Sequence, residues 1–94
     1  MPRNIIEKIR QAIRSGNYDM TYHAVEEMAE DKLRTDDIEH AILVGEVIKR
    51  QRDDVRGTKF IIHGEAANKD SAVGVVGRFK ETEAFLIITV YRIE

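Results

Sequence analysis

The sequence predicts an α+β fold of two layers, with N-terminal helices packed on a four-to-five-stranded, mainly antiparallel sheet. Three observations carry this. Apolar residues recur at helical spacing in the first half of the chain. From Glu46 onward the period falls to two. The later strands follow one another through short connections, which is the pattern of an antiparallel meander, and the helices before it should cover one of its faces.

Asn4 is placed to cap a first helix, in which Ile5, Ile6, Ile9, Ala12 and Ile13 recur at helical spacing. Ser15-Gly16-Asn17 ends it, with Gly16 suited to a left-handed C-terminal cap. Tyr18, Met20 and Tyr22 alternate as a short strand. Thr21 can cap the next helix, whose inner face is expected to hold Val25, Met28 and Ala29, with Glu26, Glu27, Glu30 and Asp31 on a solvated side. Thr35-Asp36-Asp37 opens a third helix, in which Ile38, Ala41 and Ile42 share a face and Gly45 is the stop. Val47-Ile48 begins a strand that runs into charged residues. Lys59 to Ile62, Ser71 to Phe79 and Ala84 to Ile93 are further strands. The last is the most apolar and belongs inside the sheet. Simple alternation puts Phe85, Ile87, Thr89 and Tyr91 on one of its faces and Leu86, Ile88 and Val90 on the other. Near its end the first of these faces turns polar, at Thr89 and Tyr91, as a packed face would where it becomes a binding face.

Composition narrows the chemistry. Ninety-four residues imply one domain, 1–94, and the apolar fraction of 43% is too high for a disordered chain. There is no cysteine, which removes a disulfide scaffold, a thiolate zinc site and a cysteine nucleophile. The three histidines, His23, His40 and His63, show no metal-ligand spacing, so neither a metal nor another cofactor is expected. No apolar run reaches the ~18 residues of a membrane span, and the N-terminus lacks the apolar segment of a signal peptide. A cytoplasmic protein is expected.

The net charge of −2 is unevenly spread. Residues 1–14 carry four basic and one acidic group, residues 15–46 two basic and nine acidic, and residues 47–60 five basic and two acidic. The basic run Lys49, Arg50, Arg52, Arg56 and Lys59 is the candidate nucleic-acid-binding segment, since a local patch can steer an anion even on a near-neutral protein. Gly74-Val75-Val76-Gly77 is not a phosphate loop, because no helix follows it.

The order Thr21-x-His23-Ala24-x-x-x-Met28, then Ile38-x-x-Ala41-Ile42-x-x-Gly45-Glu46-Val47-Ile48, then Ile87-Ile88-Thr89-Val90-Tyr91 resembles a widespread bacterial family known only as a domain of unknown function. Its signature runs H-A-x-x-R-M, G-E-x-I and T-V-Y. That family is similar in fold to the RelE/ParE toxin superfamily, many of whose members cut RNA without metal, often on the ribosome, and are neutralised by an antitoxin. The resemblance implies a metal-independent ribonuclease with RNA or the ribosome and an antitoxin as partners. The resemblance carries over to His23, Thr89 and Tyr91, and the cleavage chemistry adds a cation, so the expected catalytic set is His23, Arg78, Thr89 and Tyr91: His23 as base or acid, Arg78, or a residue of the Lys49–Lys59 run, as the cation on the phosphorane, Tyr91 stacking on a base or donating to phosphate, and Thr89 orienting a neighbour. Two family arginines fall on Glu27 and Asp31 here, and anions at those positions argue against phosphate handling by that helix. They support the alternative, a non-catalytic interaction module or homodimer built on the same scaffold, with an exposed sheet edge as the pairing surface.

Overall fold

A computed structural model describes residues 4–53, 55 and 57–93. Three helices, α1 (Ile5–Arg14), α2 (Tyr22–Glu30) and α3 (Thr35–Val44), precede most of a five-stranded sheet. Its strands are β1 (Tyr18–Met20), β2 (Glu46–Asp53), β3 (Gly57–Glu65), β4 (Ala72–Phe79) and β5 (Phe85–Ile93). Their spatial order is β1-β5-β4-β3-β2. The meander is antiparallel, and β1 adds to β5 in parallel, so the sheet is mixed. Among the described residues, no helix is long and apolar enough to cross a membrane.

The helix boundaries follow from local chemistry. Asn4 Oδ1 accepts from Glu7 N at 3.1 Å and starts α1. At the other end Gly16, with φ +74°, reverses the chain while its N–H and that of Asn17 donate to Ile13 and Ala12 carbonyls, a Schellman motif. α3 is tied by Asp37, whose carboxylate accepts from Arg34 N at 2.8 Å and from Ala67 N at 3.1 Å. One buried acid thus joins the start of the helix to the β3–β4 turn.

The core lies between α1 and α3 and one face of the sheet. Ile9, Ile38, Ile42, Ile62, Val73, Val75, Phe85, Ile87 and Val90 are all fully buried there. α3 reaches the sheet through bare backbone. A Cβ on Gly64 of β3 would overlap the carbonyl group of Ala41, and one on Gly45 would overlap the His63 and Ala41 carbonyls and lie 2.9 Å from Gly64 Cα. The glycine that ends α3 and the glycine after His63 therefore act together.

α2 departs from the expected burial. Ala24 is fully buried and Met28 packs on the core, but Val25 and Ala29 are exposed. The reason is its position: it runs along the outer edge of β5 beyond β1, where the unmet groups are backbone N–H donors rather than apolar surface. Glu27 Oε1 accepts from Val90 N and Asp31 Oδ2 from Arg92 N, each at 3.2 Å. The Arg92 guanidinium closes the contact on the Asp31 carbonyl oxygen at 2.6 Å. Two carboxylates thus do the work of a neighbouring strand. The expectation of a wholly solvated acidic face holds for Glu26 and Glu30 only.

Tyr18 fixes β1 to α3 by donating to Glu39 Oε2 at 2.6 Å. Burial, together with the hydrogen bond to Glu39 and its charge, pushes the phenol from 10.0 up to about 12. Because the folded value lies above the unfolded one, this contribution to stability is complete below pH 10 and is lost as pH rises through 12. Ultraviolet titration should therefore resolve a late tyrosinate step near pH 12 that disappears in Tyr18→Phe and moves to lower pH in Glu39→Gln. A late step that persists in Tyr18→Phe would refute the assignment.

Candidate nucleic-acid interface

The side chains of β5 change faces at a bulge. Ile87 pairs with Gly77 and Thr89 with Val76, so Ile88 is the extra residue. Thr21, between β1 and α2, docks at this irregularity: its N–H donates to Ile87 O and its hydroxyl to Ile88 O, both at 2.9 Å. The same hydroxyl oxygen accepts from Ala24 N and caps α2. Before the bulge Phe85 and Ile87 face the core; after it Val90 does. The expectation that Phe85, Ile87, Thr89 and Tyr91 share a face is therefore corrected. One inserted residue shifts the alternation, and Thr89 and Tyr91 emerge on the sheet face opposite the helices. The polar end of the strand follows directly from that shift.

On this open face the register aligns residues in rows across the strands. One row is Glu46, His63, Gly74 and Tyr91. Tyr91 lies across Gly74, where a Cβ would overlap its ring, and its hydroxyl oxygen is 2.8 Å from His63 Nε2. The two rings meet edge to face, with centroids 5.9 Å apart and planes at 82°. The next row is Lys49, Ile61, Val76 and Thr89. Beyond it lie Lys59, opposite Gln51, and Arg78, opposite Leu86. Three cations from three adjacent strands thus share one face with the hydrogen-bonded His63–Tyr91 pair.

The expected basic segment is divided by the pleat. Lys49 and Lys59 take the open face. Arg50 and Arg52 alternate to the other, where the Arg50 guanidinium lies 5.8 Å from the Phe60 ring centroid. Arg56 lies outside the described residues.

The expected catalytic set is divided as well. Arg78, Thr89 and Tyr91 share the open face. His23 stands on α2 at the β5 edge, about two-thirds exposed, with its Nε2 3.2 Å from Glu27 Oε1. Among the described residues no hydrogen bond joins it to Arg78, Thr89 or Tyr91. The histidine that does meet Tyr91 is His63, on β3. A glycine in the middle of a strand marks the close approach of another group, so Gly74 was the available signal for this pair. Among the described residues no group of three or more His, Asp or Glu side chains is disposed to hold a metal ion.

The order of these features along the chain, from Thr21 at the bulge through Gly45 beneath His63 to Tyr91 at the sheet end, spans the segment recognised by one family model, that of a domain of unknown function (DUF4258), over residues 20–92. The chain belongs to the DUF4258 family. No curated protein and no solved structure matches it. Three residues within the matched segment have clear structural roles here. Thr21 organises the bulge, Gly45 admits α3 to the backbone of β3, and Tyr91 closes over Gly74. In this DUF4258 chain Glu27 and Asp31 are engaged with the β5 backbone.

Proposed function

We propose that this protein acts on RNA through the open face of its sheet, on a RelE/ParE-like scaffold in the cytoplasm, with the ribosome as a candidate target. The observation that carries the reading is the His63–Tyr91 hydrogen bond on the same face as Lys49, Lys59, Arg78 and Thr89. Metal-independent cleavage needs a group to take the 2′-hydroxyl proton, a cation on the phosphorane and a donor to the leaving oxygen. His63 is the proton-transfer group in this scheme, oriented by Tyr91. Arg78 with Lys59 supplies positive charge, and Thr89 donates or accepts beside Tyr91. His23, engaged with Glu27, lies outside the scheme. The carboxylates of Glu27 and Asp31 no longer count against it, because backbone N–H groups at the sheet edge account for them.

The test is binding of a short fluorescent single-stranded RNA followed by anisotropy. The triple variant Lys49→Gln, Lys59→Gln, Arg78→Gln should weaken binding about tenfold or more at low salt. Unchanged affinity, or no binding by the wild type at low salt, would overturn the reading.

A second reading concerns partners. Among the described residues the β5 edge is covered by β1 and α2, β2 has no further strand beside it, and Ile48 on it and Val44 next to it are exposed. An antitoxin strand or a second copy of the chain would pair there. Sedimentation of the pure protein over a range of concentrations separates a homodimer from a monomer that awaits a partner.

A further inference from the structure

Next to the open face, where β2 begins, a cleft of about 790 Å³ opens to solvent. That volume lies within the ~300–1,000 Å³ of small-molecule sites. Its wall includes two histidines, His40 of α3 and His63 of β3, and two cations, Arg10 of α1 and Lys69 of the β3–β4 hairpin. Ala72 and Ile93 give it an apolar side.

Each imidazole is held by one nitrogen and leaves the other for a ligand. His40 Nδ1 is 2.9 Å from the Glu65 carbonyl oxygen. A carbonyl only accepts, so Nδ1 carries the proton there; Nε2 is unengaged and donates to a phosphate in the imidazolium form of the ring. His63 meets Tyr91 through Nε2, which leaves Nδ1. The Arg10 guanidinium donates to Glu7 Oε1 at 2.8 Å and to Gly45 O at 2.9 Å, while its Nε is buried without a partner. It is a fixed cation with an unmet donor. Lys69 sits at φ +63° at the turn, exposed. Glu46 and Glu65 also line the cleft, both exposed. They suit the amino or hydroxyl groups of a ligand, and Glu46, directly opposite His63 in the cross-strand row, sets the sugar hydroxyls rather than the phosphate on that side.

We infer that this cleft is a nucleotide site, with phosphate between His40 and His63, Arg10 and Lys69 as counter-charges, and base or sugar against Ala72 and Ile93. The inference takes its ligand class from the RNA reading above and extends it: His63 belongs to both surfaces, so the cleft would receive the nucleotide adjoining the strand on the open face.

The experiment is an NMR titration of the full chain, following the imidazole resonances with adenosine 3′-monophosphate and, separately, adenosine. The nucleotide should shift both His40 and His63 saturably, and the nucleoside should shift neither. Loss of one charge-assisted contact should weaken the nucleotide about tenfold in His40→Gln and about fivefold in Lys69→Asn. Asparagine tolerates the left-handed backbone at that position, so the second variant removes charge without strain. If His63 responds and His40 does not, the cleft is not the site and the open-face reading stands. If both rings respond while RNA affinity ignores the Lys49, Lys59 and Arg78 substitutions, the open-face reading falls and the nucleotide site stands. Equal response to nucleoside, or full affinity in Lys69→Asn, overturns the inference.

Discussion

Gly64→Val should destabilise the protein by about 3 kcal/mol or more, at the upper end of overpacking costs. The atoms that a side chain would meet are the backbone of Ala41 in the last turns of α3. Backbone held in a helix cannot rotate aside, so α3 itself must lift from β3. Lifting it uncovers Ile38 and Ile42, both now fully or almost fully buried. With total stabilities of about 5–15 kcal/mol for natural domains, this is a large fraction. The midpoint of urea unfolding measures it. A midpoint within experimental error of the wild type would show that the close approach of α3 to β3 is not needed for the fold. Gly74→Ala is the informative contrast. There the obstructing atoms are the tip of the Tyr91 ring, which can swing away. The fold should survive, and the His63–Tyr91 bond should not.

On the proposed reading, His63→Ala should lower metal-free RNA cleavage about a hundred- to ten-thousandfold, the usual worth of a positioned proton-transfer group. Tyr91→Phe removes the hydroxyl that orients the imidazole and should cost less than the loss of the ring it orients. Gly74→Ala should reproduce Tyr91→Phe without touching either residue, because the added methyl displaces the phenol. His23→Ala should leave cleavage close to wild type, since His23 is engaged with Glu27 on α2 at the β5 edge and not with the His63–Tyr91 pair. Cleavage of a labelled RNA in the presence of a chelator, quantified as initial rates, distinguishes these cases. A large loss in His23→Ala with none in His63→Ala would restore the site suggested by the family resemblance and remove the one proposed here.

The architecture was legible wherever local chemistry and period agree. Asn4, Gly16 and Thr21 cap as their types require, and Ile38, Ala41 and Ile42 share a buried face. The alternation in β5 misled at Ile88, because a bulge adds one residue without any local mark in an all-apolar run. That single insertion decides that Thr89 and Tyr91 point away from the core. Helical spacing alone puts the charges of α2 in solvent, because it says nothing of a strand edge alongside; Glu27 and Asp31 acquire their partners only through tertiary placement. The His63–Tyr91 pair joins residues 28 apart in sequence, and cross-strand register rather than spacing brings them together. The split of the basic segment follows from the pleat, which sends Lys49 and Lys59 to one face and Arg50 and Arg52 to the other.

The central claim, that RNA lies along Lys49, Lys59 and Arg78 on the open face, is tested most directly by the salt dependence of RNA affinity. For single strands the slope of log affinity against log salt is about −0.7 per phosphate neutralised, so removing all three cations should flatten it by about 2. Parallel lines for the wild type and the triple variant would contradict the account.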